Sequence, residues 1–149
     1  MTTRLNYFAT SPKAMDILLN QESYLDEAFK GSKLLLELVK IKVSQINQCA
    51  LCIDMHSKDA LKSGESFDRI YGLNAWRDMT CYSKKEQCSL QWAELIVSDQ
   101  PATDIEYQSV LQVLGEQTLV DLTIAINAIS SWNRIAKAFK PAVGSFDAN

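Results

Sequence analysis

The chain contains few residues that interrupt helices. Only five of its 149 residues are glycine and three are proline, and these two residue types mark most turns and loops. Their scarcity favours long helices over a loop-rich β architecture. No stretch shows sustained period-two alternation between hairpin turns, which is the pattern typical of strands. We therefore predict an all-α fold.

Capping and breaking residues divide the first half of the chain into helices. A first helix is expected to open near Pro12, because proline is tolerated in an opening turn. Gly31 is suited to end that helix, and Ser32 to cap the next one. A third helix is predicted over about 49–61 and a shorter one over 67–73.

The second half carries two capping-box patterns, at 83–86 and 103–106, each predicting a helix start. A final long helix is predicted over about 117–139, with Pro141 marking its end. No repeat, low-complexity tract or linker-like segment divides the sequence. We expect one domain spanning 1–149.

Composition excludes several classes of partner. The net charge of −3 and the acidic pI of about 5.1 give no electrostatic reason to expect nucleic-acid binding. No apolar run approaches the roughly 18 residues of a membrane span, and the first residues lack the apolar core of a secretory signal. We expect a cytoplasmic protein that binds neither nucleic acid nor membrane.

The most distinctive motif is Cys49-Ala50-Leu51-Cys52, followed four residues later by His56, the single histidine of the chain. On a helix, Cys49, Cys52 and His56 fall within about 60° of one another. The helix dipole would activate Cys49, whereas His56 would take the proton of Cys52. The two arguments favour different nucleophiles. In the cytoplasm this motif indicates redox chemistry or metal binding rather than a structural disulfide.

Glu37 is a further candidate because it lies within an apolar stretch, 34–39, where an unpaired charge is costly to bury. As a buried carboxylate it would relay a proton or orient His56. As a residue on the outer face of an amphipathic helix it would be a solvated acid. The sequence pattern leaves both interpretations open.

The motif has two other interpretations. One is that the cysteines and His56 are core residues that share a face by chance. The other is a zinc site built from C-x2-C and His56, which needs a fourth ligand. The candidates for that fourth ligand are Glu37, Cys81 and Cys88. No second ligand pair completes such a site, and we expect no metal ion and no other cofactor.

The remaining cysteines and the tryptophans are predicted to be structural. Cys81 and Cys88 are seven residues apart, about 10 Å along a helix and too far for a disulfide. We predict that both pack in the interior. Trp76, Trp92 and Trp132 are predicted to be core or interface anchors.

The span from Glu37 to His56 resembles the AhpD-like alkylhydroperoxidase group of the carboxymuconolactone decarboxylase family. That group shows a glutamate, a cysteine twelve residues later, and the pattern C-x2-C-x3-H, and this chain has the same spacings. The resemblance runs from about residue 1 to 141. Its further matching segments are 58–60, 64–65, 76–78, 92–94 and 132–134.

The resemblance implies an all-helical fold that assembles as homotrimers or homohexamers, and thiol-dependent reduction of hydroperoxides. It assigns Cys52 as the peroxidatic thiol, Cys49 as the resolving thiol, and His56 with Glu37 as the proton relay. It also implies a dithiol reductant, such as a lipoyl-bearing or thioredoxin-like protein. Better-studied peroxidases of the group have a second histidine where this chain has Leu51. The alternatives are a non-catalytic redox-sensing oligomeric module and a lactone decarboxylase, although the decarboxylase branch generally lacks the redox cysteines.

Overall fold

The computed structural model describes residues 3–146, which form helices and contain no strand. The predicted all-α class is confirmed. Short 3-10 segments cover Lys30–Ser32 and Gly72–Asp78. The α-helices are α1 (Tyr7–Thr10), α2 (Pro12–Ala28), α3 (Lys33–Ile46), α4 (Ala50–Lys62), α5 (Phe67–Tyr71), α6 (Lys84–Val97), α7 (Asp104–Leu114) and α8 (Glu116–Phe139).

Most helix boundaries lie within a few residues of their predicted positions, but the junction between α2 and α3 differs. Helix α2 ends at Ala28, and Gly31 lies in the 3-10 segment that follows. Ser32 belongs to the same segment, where its amide donates to the carbonyl of Phe29. Ser32 is the cap residue of α3, as predicted, but its side chain makes no capping hydrogen bond.

The predicted capping boxes are confirmed. The hydroxyls of Ser83 and Thr103 accept from the amides of Glu86 and Glu106, and each glutamate accepts from the amide of its cap residue. At the other end of the chain, α8 stops at Lys140, which adopts a left-handed conformation with φ of 51° directly before Pro141.

Helix α3 is the central element. Every residue from Leu35 to Ser44 is buried, because hydrophobic clusters pack on both sides of this helix. Leu36, Val39 and Val43 contribute to the larger cluster, which includes much of α8. The smaller cluster takes Leu38 and Ile41 of α3, and adds Ala60, Ile70, Leu73, Trp76, Tyr82 and Leu90.

Burial on all sides also encloses polar residues of α3. Glu37, Lys40 and Ser44 repeat at i, i+3 and i+7, so they share one face of the helix. Each has a polar partner on another helix, as expected for buried polar groups. In the same order, the partners are His56 of α4, Glu22 of α2 and Asn133 of α8.

The two cysteines outside the motif differ in their surroundings. Cys88 is buried in α6, as predicted. Cys81 is exposed, so the prediction that it packs in the interior is wrong. The physical reason is that α6 begins only at Lys84, which leaves Cys81 in the preceding loop. Trp76 and Trp92 are buried in the clusters, and Trp132 is partly buried.

Within residues 3–146, no individual helix is both long and apolar enough to cross a membrane. Helices α7 and α8 together meet that test by length and composition, with a bend of 110° between them.

Candidate active site

The turn between α3 and α4 positions the two cysteines of the motif. Gln48 takes a left-handed conformation with φ of 55°, which reverses the chain after α3. Cys49 follows as the cap residue of α4, and its amide donates to the carbonyl of Ser44 over 2.9 Å. Cys52 lies in the first turn of α4. The two residues form a disulfide with their Cα atoms 5.4 Å apart, and both are buried.

Helix α8 holds this turn in place through a buried amide network. The side-chain amide of Asn47 donates to Oδ1 of Asn133 over 3.0 Å, and Nδ2 of Asn133 donates to the hydroxyl of Ser44. Lys137 Nζ donates to the carbonyl of Asn47 over 2.8 Å. No sequence motif indicated this role for Asn133, although the residue lies in one of the segments that carry the family resemblance.

His56 lies one helical turn beyond Cys52 and is hydrogen-bonded to Glu37. Its Nδ1 is 2.9 Å from Oε2 of Glu37, and both side chains are buried. When Glu37 is a carboxylate it can only accept, so in that state Nδ1–H donates to it and Nε2 carries the lone pair that can accept a proton. Glu37 is only 5% exposed, so the interpretation as a solvated surface acid is wrong.

A cavity of about 220 Å³ opens beside Cys52 and His56. Its wall is mostly apolar and aromatic and comes from α1, α2, α4, α8 and the segment after α8. The lining residues are Tyr7, Phe8, Leu19, Glu22, Leu51, Cys52, Met55, His56, Ile129, Trp132, Ala136 and Phe146. Of the two disulfide-bonded cysteines, Cys52 lines the cavity and Cys49 does not.

Glu22 is a charged residue of the cavity wall that the sequence analysis did not single out. Its carboxylate accepts from Trp132 Nε1 over 3.1 Å and from Lys40 Nζ over 2.8 Å. Glu22 and Trp132 are 110 positions apart, so no local pattern indicates their contact. These bonds fix the indole of Trp132 at the cavity.

Asp59 was also missed. It lies three residues after His56 on α4, a spacing that puts both side chains on the same face. Glu37, His56 and Asp59 each have a ligand-type atom within 4.8 Å of the others. This is the group of possible metal ligands found among the described residues, and it contains none of the four cysteines of the zinc interpretation.

The sequence model of the Carboxymuconolactone decarboxylase family matches residues 12–95. This match covers more than half of the chain and includes Glu37, both motif cysteines and His56. The chain belongs to this family. Its C-x2-C-x3-H motif lies within the region that the family model matches.

Two curated relatives are uncharacterised proteins. The chain is 40% identical to YdfG of Bacillus subtilis (strain 168) over 140 residues, which cover 93% of this chain and 95% of YdfG. It is 27% identical to YnjA of Escherichia coli (strain K12) over 90 residues, which cover 60% of this chain and 50% of YnjA.

The fold is also shared with a crystal structure from Agrobacterium tumefaciens, of a protein of unknown function provisionally assigned as antioxidant defence protein AhpD. The TM-score is 0.88 at 31% identity, and the match covers 95% of this chain and 97% of that one. The chain is thus an AhpD-like member of the carboxymuconolactone decarboxylase family.

Proposed function

We propose that this protein is a thiol-dependent peroxidase that reduces organic hydroperoxides in antioxidant defence. The observation that carries the proposal is the arrangement at the cavity: Cys52 and His56 line it together, and Glu37 is bonded to the far side of the imidazole. A nucleophile, a base and a residue that orients the base are the parts required for nucleophilic catalysis.

The first step uses the reduced dithiol. His56 Nε2 accepts the proton of the Cys52 thiol while Glu37 stabilises the resulting imidazolium. The thiolate attacks the distal oxygen of the hydroperoxide, and the O–O bond breaks. Cys52 becomes a sulfenic acid, and the departing alkoxide takes a proton from His56 and leaves as the alcohol.

The second step returns both thiols to the disulfide that the structure contains. The Cys49 sulfur attacks the Cys52 sulfenic acid, an S–S bond forms, and water leaves. An external dithiol then reduces the pair by exchange and is itself oxidised to a disulfide. If the reduced pair passes its electrons to a disulfide of another protein instead of to a peroxide, that disulfide is reduced, the Cys49–Cys52 disulfide forms again, and the protein acts as a disulfide reductase. A lipoyl-bearing or thioredoxin-like protein is the proposed donor, and a homotrimer or homohexamer the proposed assembly.

The cavity supports an apolar substrate. Tyr7, Phe8, Trp132 and Phe146 supply most of the aromatic lining, and few polar groups accompany them. Apolar surface binds alkyl or aryl groups by removing them from water. An organic hydroperoxide places its tail against this wall and its O–O group at Cys52. Hydrogen peroxide, which has no tail, gains nothing from the wall.

A second candidate function is a redox sensor that oxidises once and is not recycled by turnover. The observation favouring it is Leu51, an apolar side chain between the two cysteines that lines the cavity. At this position the better-studied peroxidases of the group have a histidine. Without that histidine, the Cys49 thiol has no imidazole beside it in the motif to accept its proton.

The deciding experiment measures peroxide consumption with an excess of dithiol, using wild type, Cys52→Ser and Cys49→Ser. We expect repeated turnover by the wild type, none by Cys52→Ser, and a sulfenic acid trapped by dimedone in Cys49→Ser. Full activity of Cys52→Ser would exclude the mechanism. Rapid oxidation of wild type without turnover, under every dithiol tried, would favour the sensor.

A further inference from the structure

We infer that Glu37, His56 and Asp59 form a binding site for a divalent transition-metal ion, with zinc as the best match. The three side chains bring two carboxylates and one imidazole together, with ligand-type atoms within 4.8 Å of one another. Glu37 and His56 are buried, and Asp59 is partly buried. The site shares His56 and Glu37 with the C-x2-C zinc arrangement considered from the sequence, but it uses Asp59 and no thiol.

The three side chains come from two facing helices, as ligands of metal centres in helical bundles do. His56 and Asp59 stand at i and i+3 on α4, and Glu37 faces them from α3. Bundles build metal sites from facing helices, with a carboxylate from one helix and a Glu-x-x-His pair from another. Here the i,i+3 pair has the opposite order, with His56 before Asp59. Both helices are fixed by core packing, so two of the three ligands are held in place before an ion binds.

The local charge favours a cation. Two carboxylates face one imidazole, which leaves an excess of negative charge when both acids are ionised. The two buried lysines of α3 are engaged elsewhere, since Lys40 pairs with Glu22 and Lys42 with Glu94. A divalent ion neutralises carboxylates that would otherwise repel each other at short distance.

The ligand types select zinc over the hard cations. Zinc accepts imidazole nitrogen and carboxylate oxygen at about 2.0–2.2 Å. Asp59 can move closer to an ion by side-chain rotation, because it is the partly exposed member of the group. Magnesium prefers oxygen ligands and retains its waters, so the buried imidazole disfavours it.

Zinc binding here has a consequence for the proposed peroxidase. An ion coordinated by His56 and Glu37 occupies the groups that would accept and relay the proton of Cys52. Zinc is then expected to inhibit turnover and a chelator to restore it. The binding itself does not depend on whether the protein reduces peroxides, and it is measured without a peroxide.

The test uses full-length protein without a histidine tag, carrying Cys81→Ser to remove the exposed thiol, with the Cys49–Cys52 disulfide intact. Zinc is titrated by calorimetry into this protein and into two variants of it, Asp59→Asn and Asp54→Asn. Asp54 is a matched control, since it is on the same helix and pairs with Lys58. Loss of one ligand is expected to weaken zinc binding about 10-fold or more in Asp59→Asn, with no change in Asp54→Asn.

Nuclear magnetic resonance locates the ion. His56 is the only histidine, so the imidazole region of a nitrogen–proton correlation spectrum reports on this one ring. We expect its signals to shift with saturating zinc and not with magnesium. Because these spectra also reveal unfolding, a variant that binds weakly through misfolding is recognised. His56→Asn, whose side chain can retain a hydrogen bond to Glu37, is the second variant and should also lose binding.

Three results would overturn the inference. The first is absence of zinc binding by the oxidised protein. The second is binding that leaves the His56 signals unchanged or that persists at equal affinity in folded Asp59→Asn. The third is binding that begins only after the disulfide is reduced, which would assign the metal to the thiols. None of these results bears on peroxide turnover, so the two proposals fail independently.

Discussion

Helix α3 carries three buried polar pairs, and the pair of Glu37 with His56 differs from the pair of Lys42 with Glu94 in what its hydrogen bonds do. Glu37 bonds to His56 beside the cavity and the disulfide. Lys42, less than two turns further along, pairs with Glu94 over 3.1 Å and donates to the carbonyl of Leu73.

At the pair of Lys42 and Glu94, every hydrogen bond to the carboxylate stabilises its charged form. Glu94 accepts from Lys42, from Trp76 Nε1 over 3.0 Å and from Arg77 over 2.6 Å. Burial alone would raise the pKa of Glu94, but the hydrogen bonds from Arg77, Trp76 and Lys42 lower it below its usual value. The lowered pKa keeps the Glu94 carboxylate ionised at neutral pH.

The first pair instead contains an imidazole, the side chain whose ordinary pKa lies closest to neutrality. It also leaves Nε2 of His56 without a role in holding Glu37. A buried charged residue therefore does not by itself indicate a catalytic site. What distinguishes the candidate site is a proton-accepting atom beside a nucleophile and a cavity.

The largest expected effect tests this distinction directly. His56→Asn removes the proton acceptor and should lower peroxide turnover about 100-fold or more, the usual contribution of a general base. Glu94→Gln should retain wild-type turnover, because Glu94 lies outside the cavity lining. Initial rates with a fixed dithiol concentration measure both. Equal rates for His56→Asn and wild type would remove the basis for separating the two pairs.

Stability should respond in the opposite way. Glu94→Ala leaves Lys42 buried without its anionic partner and should lower the free energy of unfolding by about 2–4 kcal/mol. Denaturant unfolding measures the change. The control is Glu27→Ala, which breaks an exposed pair with Lys30 and should have little effect. A stable Glu94→Ala protein would mean that the network is not needed to hold α3 against α6.

Glu37→Gln should separate activity from stability at the first pair. The amide oxygen can still accept from His56, and a neutral imidazole leaves no unpaired charge, so we expect less destabilisation than in Glu94→Ala. Turnover should fall about 10-fold, because the amide cannot stabilise the imidazolium. A large loss of stability with normal turnover would show that this pair is structural as well.

The lowered pKa of Glu94 predicts a pH dependence. The folded carboxyl ionises more readily than the unfolded one, so its stabilising contribution is present above the unfolded pKa of about 4.3 and is lost as the pH falls through the folded pKa. The stability difference between wild type and Glu94→Gln should therefore shrink below about pH 4. Unfolding curves at pH 7, 5, 4 and 3 provide the measurement, and a constant difference would contradict it.

The smallest effect is expected at Leu51. Leu51→His places a second imidazole between the cysteines and should raise peroxide turnover by a few-fold, since a base within reach of Cys49 speeds its attack on the sulfenic acid. Leu51→Asn is the control, being polar without a titrating ring. If both variants behave as wild type does, proton transfer at Cys49 does not limit the rate.

Local patterns were sufficient for much of the fold. The capping boxes at Ser83 and Thr103 depend on residues three positions apart, so the sequence contains both partners. The motif cysteines likewise lie close enough in sequence to predict their pairing options. Ser32 takes its predicted cap position but lacks the capping hydrogen bond, and the prediction failed at Cys81, which a late helix start leaves in a loop. The short helix α1 was not predicted at all.

Scarce breakers and capping pairs, which are short-range features, were sufficient to predict the helical class from the sequence. The resemblance of residues 37–56 to a known family indicated that family and the four residues proposed to act. Three contacts are visible only in the folded structure. Glu37 is buried against His56, Trp132 is hydrogen-bonded to Glu22 at the cavity, and Asp59 lies close to the Glu37–His56 pair. These contacts join separate helices or turns of one helix through packing. Which side chains meet is set by how the helices pack, a property that spacing along one helix does not contain.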